Sequence, residues 1–248
     1  MTSATTGGLT GIVAALREEI RPLEKRLEKP MRLRVRGIRG LKGRLGDREV
    51  VVMATGDGGE RARQGMSDLL SAFDLEAVIA IGIAGGLSSD LEVGAVVAAE
   101  RITNGTGEVP PPDAGLLAKA LVGADVRAGA VYSHSEIAVD PVAKQRLWQK
   151  VGGGVALVVD LESASYARAA ASHAVPYLVI RAVSDSRDEA LPLDFNRYRK
   201  PDGSSDRARI GRHALMHPSI VPELMQLRDR LRHCAGRLAG LVEEILSR

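Results

Sequence analysis

The sequence predicts an α/β protein of three layers, with helices on both sides of a mixed central sheet. Apolar runs of strand length alternate with segments of helical spacing along most of the chain, which is typical of this class. The runs 77–84 and 178–183 are almost continuously apolar, as expected of strands that are covered on both faces. With 248 residues, 45% of them hydrophobic, the chain is long enough for one large core. We therefore expect a single domain over residues 1–248, with a basic helical C-terminal region at about 205–248.

The first part of the chain predicts several strands and two helices. A short apolar run precedes a polar segment of helical spacing, and glycine turns then divide a stretch into two or three strands. The predicted elements are a strand at 9–16, a helix at 17–29, strands within 32–55 of which the last is 50–54, and a helix at 60–73.

The middle of the chain continues the alternation. A segment rich in Gly and Pro, 103–115, is the clearest loop, and we expect it near a site rather than at a domain boundary. The predicted strands are 77–84, 93–100, 129–133, 155–160 and 178–183, and the predicted helices are 114–121, one from Pro141, and one over the alanines behind Glu162.

Beyond Asp185 the chain becomes polar and is interrupted by Pro and Gly, which predicts a loop with one helix near 205–216. From 220 to 246, leucines recur at helical spacing and indicate an amphipathic helix, or two helices broken near Gly236 and Gly240.

Composition excludes several kinds of site. Aromatic residues make up only 3% of the chain, so few rings are present to stack on a base. A single cysteine, Cys234, rules out an intramolecular disulfide, and a zinc site would have to use His and carboxylates. The five histidines are scattered without an HExxH pattern. We expect no metal and no cofactor.

The net charge of +3 comes largely from two basic stretches, 32–48 and the chain from Arg197 onward. Such stretches can bind nucleic acid or a membrane surface, or they can simply face solvent. The acids interleaved with the arginines, and the lack of an aromatic stacking surface beside them, favour a solvated face. We expect no nucleic-acid partner. The first residues resemble neither a signal peptide nor a membrane span, so a cytoplasmic location is expected.

Two predicted strands end in acids. The run 155–160 ends in Asp160, with Glu162 just beyond, and the run 178–183 is followed by Ser184 and Asp185. Ligands of α/β sheets gather at the carboxyl ends of strands, so these acids are candidates for a site. A helix N-cap is the alternative for Asp185.

Two glycine-rich segments follow predicted strands. Gly56-x-Gly58 suggests a dinucleotide loop, but Arg61 stands where the third glycine belongs, so either a tight turn or a loop beside a sugar or anion is expected. Gly85 and Gly86 allow close approach of the backbone to a ligand, or of a helix to the strand.

Four pieces, spanning roughly 11–185, resemble the nucleoside phosphorylase and nucleosidase superfamily: GIVAALREEI, TGDGG, AIGIAGGLSSDLEVGAVV and VVDLESASYARAAASHAVPYLVIRAVSD. The last resembles the methylthioadenosine/S-adenosylhomocysteine nucleosidases, in which one strand ends in acid–hydrophobe–Glu and a later one in Ser-Asp. VYSHSEIAVDPVAK, AVSDSRDEALP and the long C-terminal region are still more similar to the hopanoid-linked branch, which removes adenine from adenosylhopane.

The resemblance implies a homodimer with a three-layer fold, and it implies roles. Asp185 would protonate N7 of a leaving purine, with Ser184 orienting it. Glu162 would hold the ribose hydroxyls, and Glu19 would activate water; from the residues alone, Glu19 would lie on a solvated helix face. The other implied substrate-binding residues are Leu161, Gly82, Ile83, Ala84, Gly56, Ile137 and Ala138.

The chemistry fits these residue types, because breaking an N-glycosidic bond makes the sugar positive and the leaving base negative. Ile83 stands where many relatives carry Ser or Thr, and Asp57 and Glu60 make the glycine loop acidic. Both features disfavour phosphate and favour hydrolysis of a 5′-substituted adenosine. A purine nucleoside phosphorylase is the alternative, and a nucleoside-binding protein without catalysis is a further one, although Glu19, Glu162 and Asp185 are all present.

The C-terminal amphipathic region bears on the substrate. Its arginines beside a leucine stripe suggest peripheral contact with a membrane that holds a lipid-linked nucleoside. Packing of this helix on the domain or on a dimer partner is the alternative.

Overall fold

The computed structural model describes residues 8–107, 109–123, 125–200 and 204–248. Residue 108 of the predicted loop and residues 201–203 of the polar segment lie outside the described residues. The fold is the predicted α/β arrangement, with a mixed sheet between helices.

Nine strands form one sheet in the described part of the chain. They are β1 (Thr10–Ala14), β2 (Glu28–Val35), β3 (Ile38–Leu45), β4 (Arg48–Ala54), β5 (Ala77–Gly86), β6 (Val96–Thr103), β7 (Val126–Ser133), β8 (Leu157–Asp160) and β9 (Tyr177–Asp185).

Seven α-helices connect and cover the strands within the described residues. They are α1 (Arg17–Glu24), α2 (Gly59–Ala72), α3 (Ala114–Leu121), α4 (Pro141–Lys150), α5 (Ser163–Ser172), α6 (Arg207–Met216) and α7 (Val221–Ser247).

The sheet runs in the order β2-β3-β4-β1-β5-β8-β7-β6-β9, and β9 also pairs with β5. The five strands from β5 to β9 therefore close into a ring. Within this ring, β5 and β9 are parallel, while β8 and β6 are antiparallel to the neighbours that join them to that pair. Closure brings the carboxyl end of β9 directly beside the carboxyl end of β5.

The two faces of the sheet bury separate apolar clusters. Along β1, Val13 contributes to the cluster that includes α2 and α5, and its neighbour Ile12 contributes to the cluster under α1 and α7. This alternation is the period of two that a covered strand requires. A smaller third cluster lies under α4, where Leu147 packs with Leu87 and Tyr132.

Two predicted boundaries are wrong, and of the two alternatives for the C-terminal segment the single helix is confirmed. The helix expected at 17–29 ends at Glu24, and edge strand β2 begins at Glu28; most β2 side chains are exposed, so the polar pattern of that segment is equally compatible with a helix. The strand expected at 93–100 is Val96–Thr103. The C-terminal segment is one continuous helix, because Gly236 and Gly240 both keep helical geometry.

Helix α7 has two different halves. From Cys234 to Ile245 it buries an apolar stripe against α1, β5 and β9, whereas its first half and the whole of α6 bury no residue. None of the helices in the described ranges is both long enough and apolar enough to cross a membrane.

Candidate functional site

Asp185 is the last residue of β9 and lies beside Gly85 of β5, where the sheet ends. Its carboxylate is buried. Oδ1 accepts a hydrogen bond of 2.5 Å from Ser184 Oγ, and Oδ2 lies 2.5 Å from Nζ of Lys144. The N-cap alternative is wrong, because a non-helical segment follows Asp185 and the next helical turn begins at Phe195.

Lys144 is the side chain that sequence reasoning missed. It lies on α4 and is 0% exposed. Its Nζ also donates to the carbonyls of Ser186 at 2.6 Å and Glu189 at 2.7 Å, so three acceptors surround one ammonium. The available signal was its position three residues before Leu147, which places a charge on the apolar face of a helix. We name Ser184, Asp185 and Lys144 the lysine side of the site.

Glu19 lies in the first turn of α1 and is only 6% exposed, so the prediction of a solvated helix face is wrong. Its Oε2 accepts from Leu16 N at 2.7 Å, and its Oε1 accepts from Ile83 N at 2.9 Å. These bonds fix the carboxylate against β5. Burial raises the pKa of Glu19 above its usual value, although the two backbone donors and Arg181 oppose this effect.

Asp160 and Arg181 form a buried ion pair. Both Nε and Nη2 of Arg181 lie 2.8 Å from Oδ2 of Asp160, whose Oδ1 accepts from Ser133 Oγ at 2.7 Å. The backbone N of Ser163 also donates to this carboxylate, at 3.1 Å. Arg181 is therefore a structural partner of this acid, and both oxygens of Asp160 are already bonded within the protein.

Glu162 stands at the start of α5 and is also buried. Its Oε1 accepts from Gly58 N at 2.8 Å. Burial first, and the nearby Asp160 carboxylate second, raise the pKa of Glu162 to about 8. We name Glu19, Asp160, Glu162 and Arg181 the arginine side of the site: three carboxylates share one guanidinium there.

The glycines act in two ways. Gly56 and Gly58 have φ values of 107° and 95°, which only glycine adopts readily, and the resulting turn aims Gly58 N at Glu162. At Gly82, a Cβ would overlap Nη1 of Arg181. The close approach was expected at Gly85 and Gly86; a Cβ at Gly85 would lie 3.2 Å from Oδ2 of Asp185, so the backbone there approaches the protein's own acid.

The remaining predicted residues form the edges of this region. Leu161 is half-buried between Asp160 and Glu162, and Ile83 and Ala84 continue β5 from the arginine side toward Asp185. Ile137 and the buried Ala138 lie just before α4, the helix that carries Lys144, so they belong to the lysine side.

Two residues of the polar segment after β9, for which only a loop was predicted, contact the two sides of the site. Asn196 exchanges two hydrogen bonds with the backbone of Ile137, at 2.8 and 2.9 Å. Farther along, Ser205 Oγ donates to Asp57 Oδ2 at 2.7 Å. The segment thus runs from the loop before α4 to the glycine loop.

The two sides are separated along β5. Glu19 is bonded to this strand at Ile83 and Asp185 lies beside Gly85, so roughly 7 Å of strand separates them. That span is suited to a sugar-sized group, with one acid at its base end and others around it. The site therefore presents acidic groups at two positions a few ångströms apart along β5.

Comparisons with known proteins agree with this geometry. A methylthioadenosine/S-adenosylhomocysteine nucleosidase from Shewanella pealeana is 27% identical over 210 residues, which cover 76% of this chain and 90% of that protein. A protein of the same name from Exiguobacterium is 28% identical over 212 residues, covering 76% and 89%. The enzyme class predicted from the sequence is that of these relatives.

Solved structures share the fold. The methylthioadenosine/S-adenosylhomocysteine nucleosidase of Neisseria meningitidis, in complex with methylthio-immucillin-A, has a TM-score of 0.76 at 20% identity, covering 97% of this chain and 99% of that one. A futalosine hydrolase mutant of Helicobacter pylori has a TM-score of 0.75 at 18% identity, covering 97% and 99%. The family model described as the phosphorylase superfamily matches residues 9–215. Since this match takes in both sides of the site and most of the chain, the protein belongs to the phosphorylase superfamily.

Proposed function

We propose that this protein is a nucleosidase that hydrolyses the N-glycosidic bond of a 5′-substituted adenosine and releases adenine. The observation that carries the proposal is the placement of Glu19 and Asp185 at two ends of one short stretch of β5. Hydrolysis of this bond needs a proton donor for the leaving adenine and a proton acceptor for the attacking water. The curated relatives, named as nucleosidases, support the same reaction.

Each carboxylate has a separate task in this mechanism. Asp185 delivers a proton to N7 of adenine as the bond to the sugar breaks. Glu162 accepts hydrogen bonds from the ribose hydroxyls and stabilises the positive charge that develops on the sugar. Glu19 accepts a proton from water, which attacks the anomeric carbon from the face opposite to the base.

Water fits the arginine side better than phosphate does. The charges there are three carboxylates and the single guanidinium of Arg181, which is already bonded to Asp160. Asp57, on the neighbouring glycine loop, adds a fourth carboxylate, and its charge contributes to the raised pKa of Glu19. Since Arg181 is matched by Asp160, the arginine side has no unpaired cation among the described residues to bind a phosphate dianion.

One observation favours phosphorolysis as the second candidate. Arg199 lies near the glycine loop, and its buried Nη1 makes no hydrogen bond within the described residues; its ion pair with Asp57 Oδ1 measures 3.7 Å. A buried guanidinium nitrogen that makes no hydrogen bond can bind an anion such as phosphate.

A base-release assay separates the candidates. Purified protein is incubated with 5′-methylthioadenosine, S-adenosylhomocysteine, adenosine and inosine, each with and without phosphate, and the base and sugar products are measured. We expect adenine and a free sugar without phosphate. A sugar 1-phosphate that forms only when phosphate is added would establish the phosphorylase instead. Binding without release in every arm would identify a nucleoside-binding protein.

We further propose that the 5′ substituent is a lipid, such as the hopane group of adenosylhopane, and that the substrate is taken from a membrane surface. In α6 and the first half of α7, apolar side chains are open to solvent: Leu215 is 84% exposed and Met216 is 63% exposed. Arginines accompany them, as is typical of helices that lie on anionic lipid. Arg207, at the start of α6, pairs with Glu18, the neighbour of Glu19, so this region begins beside the site.

Vesicle flotation tests this contact. We expect the protein to float with vesicles that contain anionic lipid and to stay in the bottom fraction of the gradient when the vesicles are neutral. Replacing Leu215, Met216 and Met225 by Glu should abolish flotation while adenine release from methylthioadenosine is unchanged. If the wild-type protein and the triple variant are both recovered in the bottom fraction with anionic vesicles, the membrane proposal is contradicted and the nucleosidase proposal stays intact. The homodimer implied by the resemblance and the cytoplasmic location expected from the first residues stay predictions.

A further inference from the structure

Lys144 is the most completely enclosed charged group of the site. It is 0% exposed, and the acceptors around its Nζ are Oδ2 of Asp185 and the carbonyl oxygens of Ser186 and Glu189. An ammonium has three protons to donate, so each one has an acceptor. Such a position is costly for a charge and needs a reason beyond packing.

The neighbours of Asp185 define where its proton can come from. Its Oδ1 accepts from the Ser184 hydroxyl, and its Oδ2 lies against the ammonium, so both oxygens already face donors. Both oxygens are therefore placed to accept protons, and the source of the proton for the base has to be sought among these neighbours. Ser184 could supply one only by becoming an alkoxide. Arg230 is held by Glu189 at 3.0 Å, and a guanidinium does not release its proton in proteins.

We propose that Lys144 is the proton source for Asp185, and that the pair works as one acid. The inference rests on the proposed nucleosidase function. A buried lysine can exist as a neutral amine far more readily than an arginine can. When a substrate excludes water from the pair, transfer of one proton from Nζ to Oδ2 exchanges two opposite charges for two neutral groups, which a dry site favours.

The step balances. A proton moves from Lys144 Nζ to Asp185 Oδ2 and from this carboxyl to N7 of the base, while the electron pair of the C–N bond leaves with the base. Water adds to the anomeric carbon and gives a proton to Glu19. The products are adenine and the free sugar, with Lys144 left neutral and Glu19 protonated. Return of that proton through solvent, after the products leave, restores the ammonium.

The same contacts make Lys144 a positioning residue. Ser186 and Glu189 begin the segment that runs over the site to Asn196, and Lys144 fixes both of their carbonyls. Because α4 also follows Ile137 and Ala138, one side chain ties the acid to two walls of the pocket. Its loss would therefore affect both binding and chemistry, and the test must separate these effects.

The test compares two leaving groups. Lys144→Met is assayed with 5′-methylthioadenosine and with the 4-nitrophenyl glycoside of 5-methylthioribose, whose leaving group departs as a stable anion. We expect kcat for methylthioadenosine to fall by about 10²–10³-fold, within the usual range of general acid catalysis. The rate with the nitrophenyl glycoside should stay within about threefold, since no proton is needed there. Asp185→Asn, as the matched control, should show the same selective loss.

A second variant keeps the proposal falsifiable if Lys144→Met does not fold. Lys144→Ala, purified with ethylamine present, is assayed with added ethylamine and then with added guanidine. Ethylamine restores both the charge and a proton that can be transferred, whereas guanidine restores only the charge. We expect ethylamine alone to raise kcat for methylthioadenosine.

Equal rescue by both compounds, or equal losses with both substrates in Lys144→Met, would overturn the proton-source role and leave the nucleosidase intact. Failure of the wild-type protein to release adenine from any 5′-substituted adenosine would overturn the proposed function itself, and the role of Lys144 with it.

Discussion

The lysine side and the arginine side are built from the same residue types and differ in their balance of charge. On the lysine side, one carboxylate faces one ammonium. On the arginine side, Glu19 and Glu162 remain after Arg181 has been matched by Asp160. Under the proposed function, the first arrangement holds a proton for the leaving base, and the second places acidic groups around the sugar. The contrast teaches that the partner of an acid, more than the acid itself, sets its task.

The largest effect should come from removing the water-activating group. We expect Glu19→Gln to lower kcat by about 10²–10⁴-fold, since the amide cannot accept a proton from water. The loss should be equal for methylthioadenosine and for the nitrophenyl glycoside, in contrast to variants of the lysine side. Adenine and nitrophenol release measure this. A loss seen only with methylthioadenosine would mean that Glu19 acts on the leaving group, as the lysine side does. The two sides would then not differ in their roles.

The next effect concerns stability. Arg181→Met leaves Asp160 buried beside Glu162 without a cation, and we expect a loss of about 3–5 kcal/mol in the free energy of unfolding. Chemical denaturation measures it. Arg127→Met removes an arginine whose pairing with Asp90 is partly exposed, and this control should cost less than about 1 kcal/mol. Similar losses in both variants would show that the arginine side is no more dependent on its cation than the surface is.

A smaller effect should appear as a dependence on pH. Glu162 has a pKa of about 8 in the folded protein and 4.5 in the unfolded chain, so between these values only the unfolded chain is ionised. Stability should therefore fall as the pH rises from about 5 to 8, by on the order of 1 kcal/mol per pH unit, or about 2–4 °C in Tm per unit. Glu162→Gln should flatten the profile, leaving the contribution of Glu19. A wild-type Tm that rises over this range would contradict the assignment.

The smallest effect on stability should come from an exposed ion pair at the edge of the site. Arg207 and Glu18 form an ion pair in which both side chains are more than half exposed. Such pairs contribute about 0–1 kcal/mol, so Arg207→Gln should change Tm by less than about 2 °C. Differential scanning calorimetry measures this, with Arg228→Gln as the control for loss of an exposed charge on α7. A loss far above that of the control would mean that this exposed ion pair helps to stabilise the arginine side.

The strand ends could be predicted from the sequence, because an apolar run followed by an acid is a local pattern. This was enough to indicate Asp160, Glu162 and Asp185 and the α/β class. Lys144 and Asn196 could not be placed in the same way, since neither has a local pattern that shows which distant residue it contacts. Glu19 was found through the resemblance, because its own surroundings in the sequence are those of a polar helix.

The closing of the sheet was also beyond local reasoning. The pairing of β9 with both β5 and β6 depends on five strands curving together, and each strand alone gives only its own apolar run. For the same reason Gly82 looked like a contact point for a ligand. Only the register that sets Gly82 beside Arg181 shows which group it accommodates.

The packing of α7 on α1 has a consequence for the order of biosynthesis. Helix α1 carries Glu19, and it is covered by the part of α7 around Leu238 and Val242; Arg26, just after α1, is also bonded to Glu243 at 2.6 Å. A nascent chain emerges from the ribosome with its N-terminus first. The first of the proposed catalytic groups to be synthesised therefore lies on a helix that some of the last residues hold in place, and a partly translated chain lacks the packing that positions α1.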